Sequence, residues 1–270
     1  MTSTSTHGTG TDKLLVDVDD GIALVTFNNP EKRNALSVEV RTALPGALTA
    51  LQADPEVRVV VLTGAGDKAF VAGADIAEFG DRRTSVEARE EFDRLAAEAG
   101  RAWWALQKPV LAMIRGFCIG GGLLTALQAD IRIASDDSTF GVPAARLGVG
   151  YGFGGVEALV GLVGPARTAE ILFSGRRIPA GEAVQMGLVN RVVPVDALRT
   201  EVWTLAEAIR DNAPLTVAAC KAAIQEVGRA PERRDLDRVA ALVEACFTSE
   251  DYREGQRAFL EKRAPRFTGR

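Results

Sequence analysis

The stretch at residues 108–130, KPVLAMIRGFCIGGGLLTALQAD, restricts the architecture more than any other. Lys108-Pro109 opens it, residues 110–114 are continuously apolar, and Gly116 breaks the run. Three glycines, Gly120, Gly121 and Gly122, then lead an Ala- and Leu-rich segment that ends at Asp130. That order predicts a buried strand, a tight turn and a helix entered through glycine. A helix start offers N–H groups without intrahelical partners and the positive end of its dipole, and glycine lets a ligand come close to them. The chemistry this favours is holding an oxyanion on main-chain donors. The same stretch also reads as a generic strand-to-helix turn.

The rest of the chain narrows the options. At 270 residues there is room for one large domain, or a core with an appendage. Hydrophobic residues at 47% and charged residues at 25% suit a soluble globular protein. A net charge of −4 argues against a general nucleic-acid binder, and no apolar run reaches the length of a membrane span. Residues 1–12 are polar and lack both an apolar core and arginine, so they read as a disordered tail rather than a targeting segment, with the cytoplasm as the expected location. Cys118, Cys220 and Cys246 are scattered and odd in number, which argues against a disulfide framework and a zinc site. The one histidine is His7, in that tail, so the body cannot hold a Ser-His-Asp or Cys-His arrangement. Proton transfer is left to carboxylates, Tyr, Lys, the main chain or water.

Along the chain, residues 14–18 and 22–27 flank Asp19-Asp20-Gly21 and predict a hairpin. Ser37 is placed to cap a helix running towards Ala53, which Pro45 is expected to kink or split. Residues 57–63 read as a buried strand, 81–101 as an exposed loop and helix leading to Trp103 and Trp104, and 131–134 as the next strand. Residues 188–193 read as a last short strand, and 195–210, 214–227, 231–247 and 249–263 read as helices. The pattern predicts an α/β core over residues 13–200 followed by a helical region over 201–270.

Gly150-Tyr151-Gly152-Phe153-Gly154-Gly155 has GxGxxG spacing but follows a poor strand and lies deep in the chain, so a nicotinamide site is not expected. Tyr151, a lone phenol among glycines, reads either as a ligand-facing group or as a turn aromatic packed on a neighbour.

Two small-residue loops, FVAGADI at 70–76 and GFCIGGG at 116–122, each follow a buried strand and together could supply two N–H donors to one oxygen. With NNPEKRNAL (28–36), ADIRIAS (129–135), FSGRRIPAGEAVQMGLVNRVVP (173–194) and DYREGQRAFLEKR (251–263), the chain resembles the crotonase (enoyl-CoA hydratase/isomerase) superfamily over residues 13–269. The resemblance implies a crotonase-like ββα spiral core with a helical C-terminal trimerisation region, a homo-trimer or hexamer. It implies an acyl-CoA thioester as substrate, with coenzyme A as part of that substrate and no separate cofactor, metal, nucleic acid or membrane. The oxyanion hole would be the N–H groups of Ala74 and Gly121, with Gly122 beside them. Lys32, Arg33, Ala72, Asp75 and Ile76 resemble the family's CoA-binding positions, and Phe259 and Lys262 would complete the CoA site of a neighbouring subunit.

Family hydratases carry two catalytic glutamates at positions that match Leu124 and Ala144 here, and neither residue can transfer a proton. Ordinary hydratase or isomerase activity is therefore not expected. Some malonyl-CoA-type decarboxylases of the superfamily carry a Tyr where Tyr151 falls, although they place a His where this chain has Ala74. The alternatives are decarboxylation of a malonyl-type ester using Tyr151, or acyl-CoA binding without catalysis. Arg146 is a candidate partner for a substrate carboxylate or a surface charge. Asp75, Glu78, Asp81 and Glu157 are the candidate substitute acids.

Overall fold

A computed structural model describes residues 5–75 and 86–270. The N-terminal hairpin pairs β2 (Leu14–Asp19) with β3 (Ile22–Phe27), Val16 opposite Val25. Its two-residue turn has positive φ at Asp20 (45°) and Gly21 (78°), the geometry that matches the twist of flanking strands. Residues 5–12 depart from the disordered tail expected of them. Ser5–Thr6 forms β1 against β2, and the His7 N–H donates to the Val16 carbonyl at 3.0 Å. The free edge of β2 offers unpaired main-chain groups, and a threonine-rich segment satisfies them whatever its polarity.

Along the chain follow β4 (Val59–Gly64), β5 (Ala69–Val71), β6 (Val110–Ile114), β7 (Phe117–Ile119), β8 (Ile131–Ser135), β9 (Thr139–Gly141), β10 (Ile178–Pro179) and β11 (Arg191–Val193). Among the described residues one sheet has the order β1-β2-β3-β4-β6-β8-β11, and a smaller one β10-β9-β7-β5. From β3 onward the larger sheet is parallel. From β4 to β9 consecutive strands thus alternate between sheets, and helices close the turns: α1 (Val38–Ala53), α2 (Val86–Ala105), α3 (Gly121–Ala126), α4 (Phe153–Ser174, broken at Gly164 before Pro165) and α5 (Ala180–Met186). This is the ββα spiral. α6 (Leu198–Arg210) lies across residue 200 and packs Leu198, Val202 and Ala206 on Val59, Val61, Leu111 and Ile133 of the larger sheet. The chain ends in α7 (Pro214–Val227), α8 (Leu236–Thr248) and α9 (Glu250–Glu261). Among the described residues no helix is long and apolar enough to cross a membrane.

Three local findings bear on the site. α1 is capped by Ser37, whose hydroxyl accepts from the Val40 N–H, and it runs through Pro45 as one helix instead of splitting there. The proline removes only the bond to the Arg41 carbonyl, and burial of Leu44, Pro45, Leu48 and Leu51 on one face offsets that loss. The stretch at 108–130 contains β7 in addition to the predicted strand and helix, and its helix ends at Ala126. Its two ends are fastened together: the Asp130 N–H donates to the Val110 carbonyl (2.8 Å), and the Val110 N–H to Asp130 Oδ2 (2.7 Å). Lys221 Nζ, from α7, donates to both the Lys108 carbonyl (2.8 Å) and Asp130 Oδ2 (2.9 Å).

Candidate active site

β5 and β7 are parallel neighbours, Ala69 beside Phe117 and Val71 beside Cys118, so the loops that follow them leave the sheet at the same edge. The first loop is aligned by the NNPEKRNAL segment. Asn34, buried and left-handed (φ 57°), donates through Nδ2 to the Ala65 and Ala69 carbonyls and accepts from the Asn29 N–H. The Ala72 N–H then donates to the Arg33 carbonyl, Leu36 N–H to the Gly73 carbonyl, and Asp75 N–H to the Leu36 carbonyl. In this parallel bridge, Leu36 to Ala74, the bonds to Leu36 come from residues 73 and 75, so the Ala74 N–H points to the other side.

On that other side stands the start of α3. Gly120 turns the chain into it with φ 57° and ψ −116°, a conformation only glycine adopts without strain. A side chain begun on Gly121 would have its first carbon 3.7 Å from the Ala74 nitrogen, 3.5 Å from Leu36 Cδ1 and 3.7 Å from Arg41 Nη2. Two N–H donors sharing one oxygen must lie within about 6 Å of each other, and the placement of Gly121 against Ala74 meets that span. Neither amide donates to another main-chain group among the described residues. Gly122 is a glycine for a different reason, since a methyl there would sit 1.9 Å from the Val71 carbonyl oxygen. It allows α3 to press on β5.

Leu124 and Tyr151 meet over Gly155: a side-chain carbon there would lie 3.0 Å from Leu124 Cδ2 and 2.8 Å from Tyr151 Cε1. The Tyr151 hydroxyl is buried and has no hydrogen-bond partner among the described residues. Burial pushes its pKa up, so it is a neutral donor rather than a phenolate. Ala144 sits half-buried in a 3₁₀ turn (Pro143–Leu147), packed against the core. The GxGxxG segment follows this turn, not a strand, and Gly152 caps α4.

The predicted CoA-binding residues divide into groups. Lys32 and Asp75 pair with each other, Nζ to Oδ2 at 2.7 Å, with the carboxylate buried. Arg33, Ala72 and Arg146 line a cavity of about 210 Å³ together with Phe117, Ile119 and Arg177. The guanidinium carbons of Arg33 and Arg177 lie 5.3 and 5.2 Å from the Phe117 ring centre, and the stem of Arg146, otherwise exposed, covers Gly175. Phe259, 83% exposed, and Lys262 stand at the end of α9, outside that cavity. Glu157 is exposed on α4, while Ile76, Glu78 and Asp81 lie outside the described residues.

Sequence reasoning did not single out Leu36 or Arg41. The available signal for Arg41 was a charge set between Val40 and Leu44 in the stripe that α1 buries.

The model of the enoyl-CoA hydratase/isomerase family matches residues 17–270. The chain is 39% identical to a crotonyl-CoA hydratase of Syntrophomonas wolfei over 261 residues, 95% of this chain and 98% of that one. It is 37% identical to a short-chain-enoyl-CoA hydratase of Clostridium acetobutylicum, over 93% of this chain and 95% of that one. A solved enoyl-CoA hydratase/carnithine racemase from Magnetospirillum magneticum superposes with a TM-score of 0.90 at 36% identity, covering 96% of this chain and 97% of the other. With its alternating two-sheet spiral and the loops described above, the chain belongs to the enoyl-CoA hydratase/isomerase family, the crotonase superfamily of acyl-CoA enzymes.

Proposed function

We propose that the protein binds an acyl-CoA thioester and stabilises its enolate on the N–H groups of Ala74 and Gly121. The observation that carries this reading is the 3.7 Å approach of the Ala74 nitrogen to the Gly121 side-chain position. Donors fixed before reaction stabilise the charge that develops on the thioester oxygen at no reorganisation cost. The cavity beside Arg33, Ala72 and Arg146 suits part of the CoA moiety, with Phe259 and Lys262 reaching the site of a neighbouring subunit in a trimer or hexamer.

Leu124 and Ala144 leave the acyl pocket without the two carboxylates that water addition uses. Each positioned acid or base is worth about 10²–10⁴ in rate, so crotonyl-CoA hydration is expected to be slow. Its consumption, followed by ultraviolet absorbance, tests this directly: turnover at ordinary hydratase rates would show that another group supplies the proton transfers.

The Tyr151 hydroxyl, unpartnered among the described residues and beside Leu124, favours a second reading, decarboxylation of a malonyl-type ester. Breaking the bond to the carboxylate releases carbon dioxide and leaves its electron pair as the enolate, so no strong base is required. Tyr151 then donates a hydrogen bond near the α-carbon, and solvent supplies the proton that completes the product. Carbon dioxide release from methylmalonyl-CoA, lost in Tyr151→Phe, is the expected result. CoA-ester binding with no turnover of any ester would instead leave a binding protein.

A further inference from the structure

We propose that Lys108 is a covalent modification site, its amine taking the acyl group of short-chain acyl-CoA thioesters at a cavity between the end of α1 and the start of α7. That cavity measures about 280 Å³ and shares no lining residue with the one at Arg33 and Phe117. Lys108 lines it, half-buried, and its Nζ donates to two main-chain acceptors, the Leu51 and Asp54 carbonyls. An ammonium carries three N–H donors, a neutral amine only two. The Asp54 carboxylate does not take the third, since Oδ1 accepts from the Glu56 N–H and Oδ2 is bonded to His7 Nε2, each at 2.9 Å. Among the described residues no other acceptor meets Nζ. The charged form therefore needs water for its third donor, whereas the neutral amine satisfies both carbonyls and keeps its lone pair free. Burial pulls the pKa of Lys108 down to about 8, the Asp54 carboxylate opposing the shift and the Arg58 guanidinium adding to it.

A desolvated lysine amine is a nucleophile, and acyl-CoA thioesters are the electrophiles that this family handles. The lone pair attacks the thioester carbonyl carbon. The C–N bond forms, the C–S bond breaks, and the coenzyme leaves as a thiolate that takes up the proton shed by the nitrogen. No oxidant or further reactant is required. Ile209, Pro214 and Leu215 give the cavity an apolar wall for a short alkyl chain. The amide that results has a single N–H for two carbonyls, so acylation strips one donor from the end of α1 and lowers stability.

The test incubates the full chain with butyryl-CoA at pH 8 and maps the adducts by peptide mass spectrometry, with the exposed Lys68 as internal reference. An ordinary lysine is neutral to well under about 1% at that pH, whereas Lys108 is neutral to about half. Its weaker basicity returns part of that advantage, so acylation at Lys108 is expected to run about tenfold or more faster than at Lys68. Its rate is expected to level off above pH 8, and urea to abolish the preference. Labelling of the folded chain at Lys108 no faster than at Lys68 overturns the proposal. A preference that survives in urea overturns it too, by placing its origin in the local sequence. Butyryl-CoA is also expected to lower the thermal midpoint of wild type and to leave that of Lys108→Arg unchanged. An equal fall in both would assign the effect to other lysines and refute the role given to Lys108.

Discussion

The amide nitrogen of Ala74 stands 3.7 Å from the point at which a side chain on Gly121 would begin. Gly121 has only ordinary contacts around that point and no positive φ, so Gly121→Ala is expected to fold normally. Its methyl would fill the space between the two donors, and activity is expected to fall by about 10²–10³, the usual effect of losing one such donor. Gly122→Ala is expected to do the reverse. Its methyl meets the Val71 carbonyl at 1.9 Å, a backbone clash that destabilises by about 1–3 kcal/mol or more. Turnover and urea midpoints measured on both variants check the contrast.

Tyr151→Phe separates stability from function. The hydroxyl is buried without a partner among the described residues, so its removal is expected to change stability by less than about 1 kcal/mol, or to raise it. If the phenol serves the reaction, turnover still falls by about 10² or more. Because burial raises its pKa, the phenol stays neutral throughout the working range and contributes no alkaline limb below pH about 10. A pH–rate profile with a limb that disappears in Tyr151→Phe would contradict this assignment.

Asp130 holds three groups: the Val110 N–H, the buried Lys221 ammonium and, through Lys221, the Lys108 carbonyl. Asp130→Ala leaves Lys221, 8% exposed, without its carboxylate. A loss of about 2–4 kcal/mol is expected, below the full effect for a buried pair because Asp130 is itself partly exposed. Chemical denaturation of Asp130→Ala and of the double variant with Lys221→Met checks it, the second change restoring part of the loss.

Lys108 donates to the Leu51 and Asp54 carbonyls at the end of α1, and burial pulls its pKa down to about 8 from 10.5. The unfolded chain therefore binds this proton more tightly than the folded one. Between pH 8 and 10.5 the unfolded state carries more protons, so this group's contribution to stability rises with pH across that window. Below pH 8 its penalty is fully present. Urea midpoints of wild type and Lys108→Met are expected to diverge in favour of wild type between pH 7.5 and pH 10, and parallel curves would exclude the effect.

Much of this architecture was legible in the chain. The Asp20-Gly21 turn, the apolar run of β4 and the caps of α1 and α9 each follow from local chemistry that no distant contact overrides. β7 was harder, because Phe117, Cys118 and Ile119 form a three-residue strand whose partners lie far along the chain. The polarity of residues 5–12 concealed an edge strand for the same reason. Ala74 and Gly121 were proposed as donors from paired loops and family likeness, and the structure brings them near each other. Arg41 was not, since its approach to Gly121 runs across the bridge at Leu36. Polar residues that act through tertiary proximity leave little trace in periodicity.

The adjacency of β5 and β7 makes the spacing of the Ala74 and Gly121 amides a property of a ladder, not of two independent loops. It works as a fixed gauge. Side chains around the pocket, including those at 124, 144 and 151, can be exchanged without resetting it, because none of them carries that distance. Under the proposed reading, such a ladder would hold the two amides at a constant spacing while side chains beside them change.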